Sequence, residues 1–159
     1  MFSIRGDVKD YDWGIIDGLT PWTQASTGAP QAELWFGVHP SGPSPMDGAA
    51  PEGDTADPTE TLADHLTREQ APVLAKILAA GRPLSVQVHP PVATAKQLGG
   101  ESKTEAWFIA HAEPGARIIA GLRSGIDRSQ FEKHIGTADL THCLHALPAR
   151  EGDSIVIPN

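Results

Sequence analysis

Leu84-Ser85-Val86-Gln87-Val88-His89, closed by Pro90-Pro91, alternates apolar and polar side chains with a period of two. That period predicts a β-strand with Val86 and Val88 on one face and Ser85, Gln87 and His89 on the other. Same-face neighbours stand roughly 6.6 Å apart along a strand, so Gln87 and His89 can converge on one point. Downstream, Lys103-Thr104-Glu105-Ala106-Trp107 repeats the parity: Lys103 and Glu105 share a face, continued by Trp107 and Ile109. Two such strands on one concave sheet would bring together an imidazole, an amide oxygen, a carboxylate, an ammonium and a hydroxyl. Imidazole and carboxylate are good zinc ligands, and an amide carbonyl is an acceptable one. The plainer alternative is a pair of solvent faces, with His89 decorating the surface before Pro90.

Around this stretch the punctuation is that of a mainly β chain. Residues 31–38 are aromatic and β-branched, and 153–157 read as a further strand cut by Pro158. Residues 103–111 and 116–122 read as strands around Glu113-Pro114-Gly115, a turn in which proline fixes φ and glycine admits positive φ. Residues 73–79 fit either a buried strand or a helix. Short helices are expected over 59–66, with Thr59 or Thr61 as cap, over 92–98, and over 127–135, capped by Asp127 and stopped by Gly136. From Pro40 to Pro58, eight of nineteen residues are Pro or Gly, which predicts a flexible loop at 40–58 with neither helix nor strand running through it. Many short strands with few helices imply a β-barrel or jelly roll.

Composition narrows the function. The chain has 159 residues, 40% of them hydrophobic, enough for one domain with its own core. A net charge of −8 argues against broad nucleic-acid binding, which needs clustered basic residues. No apolar run approaches a membrane span, and the N-terminus carries no secretory pattern, so a soluble cytoplasmic protein is expected. A single cysteine, Cys143, excludes an internal disulfide and a multi-cysteine metal site; a small buried apolar role is expected of it. Trp35 and Phe36 are expected in the core, His39 in a structural role before Pro40, and His134, His142 and His145 at the surface or as caps.

The string Pro83-Leu84-Ser85-Val86-Gln87-Val88-His89-Pro90 resembles the Leu-Ser-Ile-Gln-Val-His-Pro signature of class I mannose-6-phosphate isomerases. Tyr11-Asp12-Trp13-Gly14, Ala32-Glu33-Leu34-Trp35-Phe36-Gly37-Val38-His39-Pro40, Lys103-Thr104-Glu105-Ala106-Trp107 and the 151–159 string are similar to family motifs in order and spacing. The resemblance implies a cupin-type double-stranded β-helix, or jelly roll, incomplete at the C-terminus, with residues 1–159 as the N-terminal portion of one catalytic domain. It implies one zinc ion held by Gln87, His89 and Glu105. Ser85 and Lys103 match positions lining the sugar-phosphate pocket and are the expected catalytic groups, and Trp13 matches an aromatic near its mouth.

The implied reaction interconverts mannose 6-phosphate and fructose 6-phosphate, moving a proton between adjacent carbons through an enediol. The implied partner is thus a small sugar phosphate, with neither nucleic acid nor membrane. Family members are longer, and a further zinc-ligating histidine follows the Ile-Pro-Asn string in them. The expectation is therefore a fragment, with little activity of its own, or one half of a split protein whose C-terminal half is a separate chain. Pairing with a second copy through the open sheet is a third arrangement. A non-catalytic cupin that binds a sugar or sugar phosphate is the alternative function.

Overall fold

A computed structural model describes residues 2–39, 44–48, 61–67 and 69–159. The chain divides into two compact units, Met1–Val86 and Gln87–Asn159.

The first unit is built on β1 (Phe2–Ile4), β2 (Asp7–Lys9), β3 (Ile15–Ile16), the single helical turn α1 (Thr20–Thr23), β4 (Pro30–Gln31), β5 (Glu33–Phe36), β6 (Met46–Gly48) and β7 (Ala75–Leu78). Strand β5 lies between β2 and β7 in an antiparallel sheet, with Leu34 opposite Val8 on one side and Ile77 on the other. Strand β1 pairs with β6, and β3 with β4. The core is small: Leu19, Leu34 and Ala79 are buried together, with Phe36 and Ile77 packed against them. Gln31 is buried too, and both ends of its amide are bonded. Its Oε1 accepts from the Leu19 amide at 2.9 Å and its Nε2 donates to the Ala25 carbonyl at 3.1 Å, which ties α1 to the sheet. Gly14 has to be glycine for a different reason: a Cβ there would stand 2.8 Å from the Gln31 carbonyl carbon.

The second unit holds α2 (Val92–Gln97), β8 (Glu105–Phe108), β9 (Arg117–Leu122), α3 (Arg128–His134), α4 (Leu140–Cys143), β10 (Leu144–Pro148) and β11 (Ser154–Ile157). It contains two antiparallel ladders, β8 with β11 and β9 with β10. Gly115, at φ 86°, closes the turn before β9, where the Ala116 amide donates to the Glu113 carbonyl at 3.0 Å. Helix α3 starts as its sequence demands. The Asp127 carboxylate accepts from the Gln130 amide at 2.8 Å, and the Gln130 side chain accepts from the Asp127 amide at 2.9 Å. In β8, Glu105 and Trp107 face inward while Ala106 and Phe108 are exposed, the alternation the sequence predicts. On β11, Val156 is exposed.

Three expectations need correction. Residues 84–89 are not a paired strand: no described strand lies in ladder with them, and Val86 and Val88 are exposed. An alternating pattern reports which faces differ, whereas a strand also needs a neighbour for its N–H and C=O groups. Within the loop expected at 40–58, Met46–Gly48 forms β6, because a partner at β1 supplies hydrogen bonds that outweigh the flanking prolines; residues 40–43 and 49–58 lie outside the described residues. The helix expected over 59–66 is a single 3₁₀ turn, Leu62–Asp64, capped by Thr61, whose amide and hydroxyl both bond the Asp64 carboxylate at 2.8 Å. Thr59 lies outside the described residues.

Trp35 and Cys143 are buried as expected, and Phe36 is partly so. His39 packs edge-on against Trp35, with ring centroids 5.1 Å apart. Among the described residues no helix is long and apolar enough to cross a membrane. Because so few large side chains fill the first unit, each one counts. Leu34→Ala should lower its stability by about 3 kcal/mol, read as a lower urea midpoint with an unchanged slope in equilibrium unfolding.

Candidate metal centre

Gln87, His89, Lys103 and Glu105 meet in the second unit. Glu105 opens β8, opposite Ile157 of β11, and this pairing fixes its backbone. Its two oxygens have different neighbours. Oε1 accepts from Lys103 Nζ at 2.6 Å, while Oε2 lies 3.3 Å from His89 Nε2 and 3.4 Å from the Trp107 indole nitrogen. Lys103 Nζ also donates to Gln87 Oε1 at 2.9 Å, so one ammonium joins both polar pairs. The His89 side chain is only 8% exposed, whereas that of Lys103 is 42% exposed and open to a ligand.

The electrostatics keep Glu105 ionised. Partial burial pushes its carboxyl up, and this is the largest single effect. The hydrogen bond and charge of Lys103, the Trp107 indole and the charge of His89 together outweigh it, so the group titrates below its ordinary value. The carboxylate is therefore available as a ligand at neutral pH.

These residues fit a metal ion. Two ligands at about 2.0–2.1 Å on a tetrahedral centre lie about 3.3 Å from each other, which is the observed separation of His89 Nε2 from Glu105 Oε2. His89 Nδ1 is buried with no hydrogen-bond partner among the described residues, an uncommon state for an imidazole nitrogen. The donors are one nitrogen and oxygens, a set suited to zinc. Among the described residues no group of three or more His, Cys, Asp or Glu is arranged to hold a metal ion, so a third donor beside His89 and Glu105 would have to be of another type, such as the Gln87 amide oxygen.

Ser85, exposed, and Trp13, partly buried and stacked on Tyr11 at 5.6 Å between ring centroids, belong to the first unit. His142 stands by itself with Asp139, 3.6 Å away, at an exposed helix end. Sequence reasoning placed Trp107 on the Glu105 face without giving it a task; the i, i+2 spacing was the signal for its bond to Oε2. It gave no attention to Ser102, whose hydroxyl donates to the Pro90 carbonyl at 3.0 Å and accepts from Asn159 Nδ2 at 2.6 Å.

Lys103→Met should reverse the balance on Glu105, because desolvation then acts with the main opposing charge gone. In the metal-free protein the Glu105 carboxyl, followed by carbon-detected NMR, should titrate at a higher pH than in the wild type. The site's contribution to stability, present above the ordinary glutamate value and lost as pH falls through the folded one, should fade earlier on acidification.

Comparisons with known proteins show which family the chain resembles. Residues 1–105, which include Gln87, His89, Lys103 and Glu105, match the family described as phosphomannose isomerase type I, catalytic domain. A mannose-6-phosphate isomerase of Streptococcus mutans is 34% identical over 135 residues, covering 80% of this chain and 42% of that protein. One from Schizosaccharomyces pombe is 35% identical over 111 residues, covering 62% of this chain and 27% of that protein. The chain thus spans less than half the length of these relatives. The crystal structure of the mannose 6-phosphate isomerase from Bacillus subtilis superposes with a TM-score of 0.78 at 24% identity, over 99% of this chain and 52% of that one. At that identity the likeness establishes the fold: mainly β, part of a cupin jelly roll, with no closed barrel among the described residues.

Proposed function

Because the chain belongs to the type I phosphomannose isomerase family, we propose that it supplies the metal-holding part of an aldose–ketose isomerase. Its substrates are mannose 6-phosphate and fructose 6-phosphate, and Gln87, His89 and Glu105 are ligands of one zinc ion. The observation that carries the reading is the approach of His89 Nε2 to Glu105 Oε2 at 3.3 Å beside Gln87 and Lys103, all within the residues matched to the family.

The bound ion would supply a positive centre that polarises a sugar oxygen and stabilises the negative charge that develops as the proton moves. The chain's own residues do the rest. Lys103 holds Oε1 of Glu105, so the carboxylate offers Oε2 toward His89 rather than both oxygens. Its exposed ammonium also presents positive charge to the oxyanion or the phosphate of the substrate. Trp107 donates to Oε2 and limits rotation of the carboxylate. Ser85 and Trp13 are assigned to the sugar-phosphate pocket, Ser85 as a hydrogen-bonding group and Trp13 as an apolar wall. Four-coordinate zinc takes one more donor than these residues provide. We assign that donor, with the main phosphate-binding groups, to a segment outside residues 1–159, in the same or a separate chain. A sugar-phosphate isomerase of this kind works in the cytoplasm, where such metabolites are held.

His89→Ala in the intact protein is the decisive variant. It should lower the zinc bound per chain, measured by mass spectrometry of metals, and slow formation of fructose 6-phosphate by at least about 100-fold, since even residues behind the ligands cost 10–100-fold. Unchanged zinc content with an unchanged rate would refute the assignment.

A further inference from the structure

Segment 87–89 carries two of the proposed ligands, yet it belongs to no ladder among the described residues. Pro90 and Pro91 follow it and offer no N–H. Its register against the Glu105 strand therefore has to be set by side chains. Contacts that span the gap include Lys103 Nζ to Gln87 Oε1 at 2.9 Å, His89 Nε2 to Glu105 Oε2 at 3.3 Å, and Ser102 Oγ to the Pro90 carbonyl at 3.0 Å. The first two of these are made by groups that a metal or substrate would engage. The third is made by a residue outside that set.

Ser102 is well placed to act as a fastener. It directly precedes Lys103, and its carbonyl partner directly follows His89. A hydroxyl has one donor and can accept in return, and both capacities are in use here. The proton goes to Pro90, and Asn159 Nδ2 donates to the oxygen at 2.6 Å, which aims it. Asn159 lies two residues beyond Ile157, the ladder partner of Glu105. One hydroxyl thus ties together the ligand segment 87–89, the strand that carries Glu105, and the end of β11.

We propose that Ser102 is the positioning residue of the metal centre: acting through Pro90, and oriented by Asn159, it sets the separation of His89 from Glu105. Ligand distances in a metal site are held to within about 0.2 Å, so loosening the described tether that neither metal nor substrate would engage lowers affinity even when every ligand remains. The inference rests on the reading of His89 and Glu105 as zinc ligands.

The test uses the intact protein with Ser102→Ala, Ser102→Thr and Asn159→Ala. Zinc affinity is measured by competition with a chromophoric chelator, geometry by the visible absorption of the cobalt-substituted protein, and stability by urea unfolding without metal. Ser102→Ala should bind zinc about ten-fold more weakly and alter the cobalt bands, with a metal-free urea midpoint close to wild type. Ser102→Thr, which keeps the hydroxyl, should restore affinity and spectrum, and Asn159→Ala should fall between. Wild-type affinity and spectrum in Ser102→Ala would overturn the proposal, as would a loss that tracks a lowered metal-free midpoint and is not rescued by threonine. Should Ser102→Ala fail to fold, Asn159→Ala decides by the same criteria. Full zinc binding by His89→Ala would instead sink the underlying metal assignment, and is distinguishable because it does not involve Ser102.

Discussion

Everything at the candidate centre is arranged around the Glu105 carboxylate. A half-buried carboxylate is costly unless its charge is met, and here it is met unevenly. Lys103 takes Oε1, while Oε2 is left to the weaker donor Trp107 and to the imidazole of His89. The ammonium offsets the charge that burial penalises, so the carboxylate stays ionised without using up the oxygen that faces His89. A divalent cation added to this balanced pair would leave the site with net positive charge. That sign suits a phosphate ester, even in a chain whose overall charge is −8.

Two kinds of order hold the site together. Glu105 and Trp107 sit in a backbone ladder, so their side chains project from a surface fixed by hydrogen bonds to β11. Gln87 and His89 have no ladder, and side-chain bonds from Lys103 and Ser102 hold that segment instead. A ladder moves as a unit. A segment held by a few side-chain bonds depends on each of them more than a ladder depends on any one of its bonds.

This division explains what could be read from the sequence. Parity alone put Gln87 with His89, and Lys103 with Glu105 and Trp107, because a period of two survives wherever the backbone is extended. Asp127 and the Pro114-Gly115 turn were legible since their bonds close within three residues. What could not be read is pairing between distant segments. Phe2 meets Gly48, and Arg117 meets Pro148, through contacts that no local window contains. The same blindness produced the supposed strand at 84–89: its alternation is real, and the neighbour that would make it a strand is missing among the described residues. The family resemblance supplied the ligand assignment that spacing left open against a plain solvent face.

The first unit contains a near-copy of the Glu105 arrangement, and the contrast shows what makes a site. In β5, Glu33 is followed two residues later by Trp35, whose indole donates back to it, and Lys76 reaches the same carboxylate at 3.3 Å. Glutamate and tryptophan recur in β8 as Glu105 and Trp107, with Lys103 just before the strand. In the first case the indole and the ammonium converge on a single oxygen, Oε2, and Lys76 lies 4.2 Å from the centre of the Trp35 ring. Lys9 approaches the same ring at 5.2 Å. Cations gathered around an indole face, beside a glutamate whose side chain is only 10% exposed, form a structural knot that stabilises a buried charge. In the second case the lysine takes the other oxygen, and the His89 imidazole lies 3.3 Å from Oε2. Composition is shared; the division of the two carboxylate oxygens is not. That division, rather than the set of residue types, distinguishes the Glu105 arrangement from the Glu33 one.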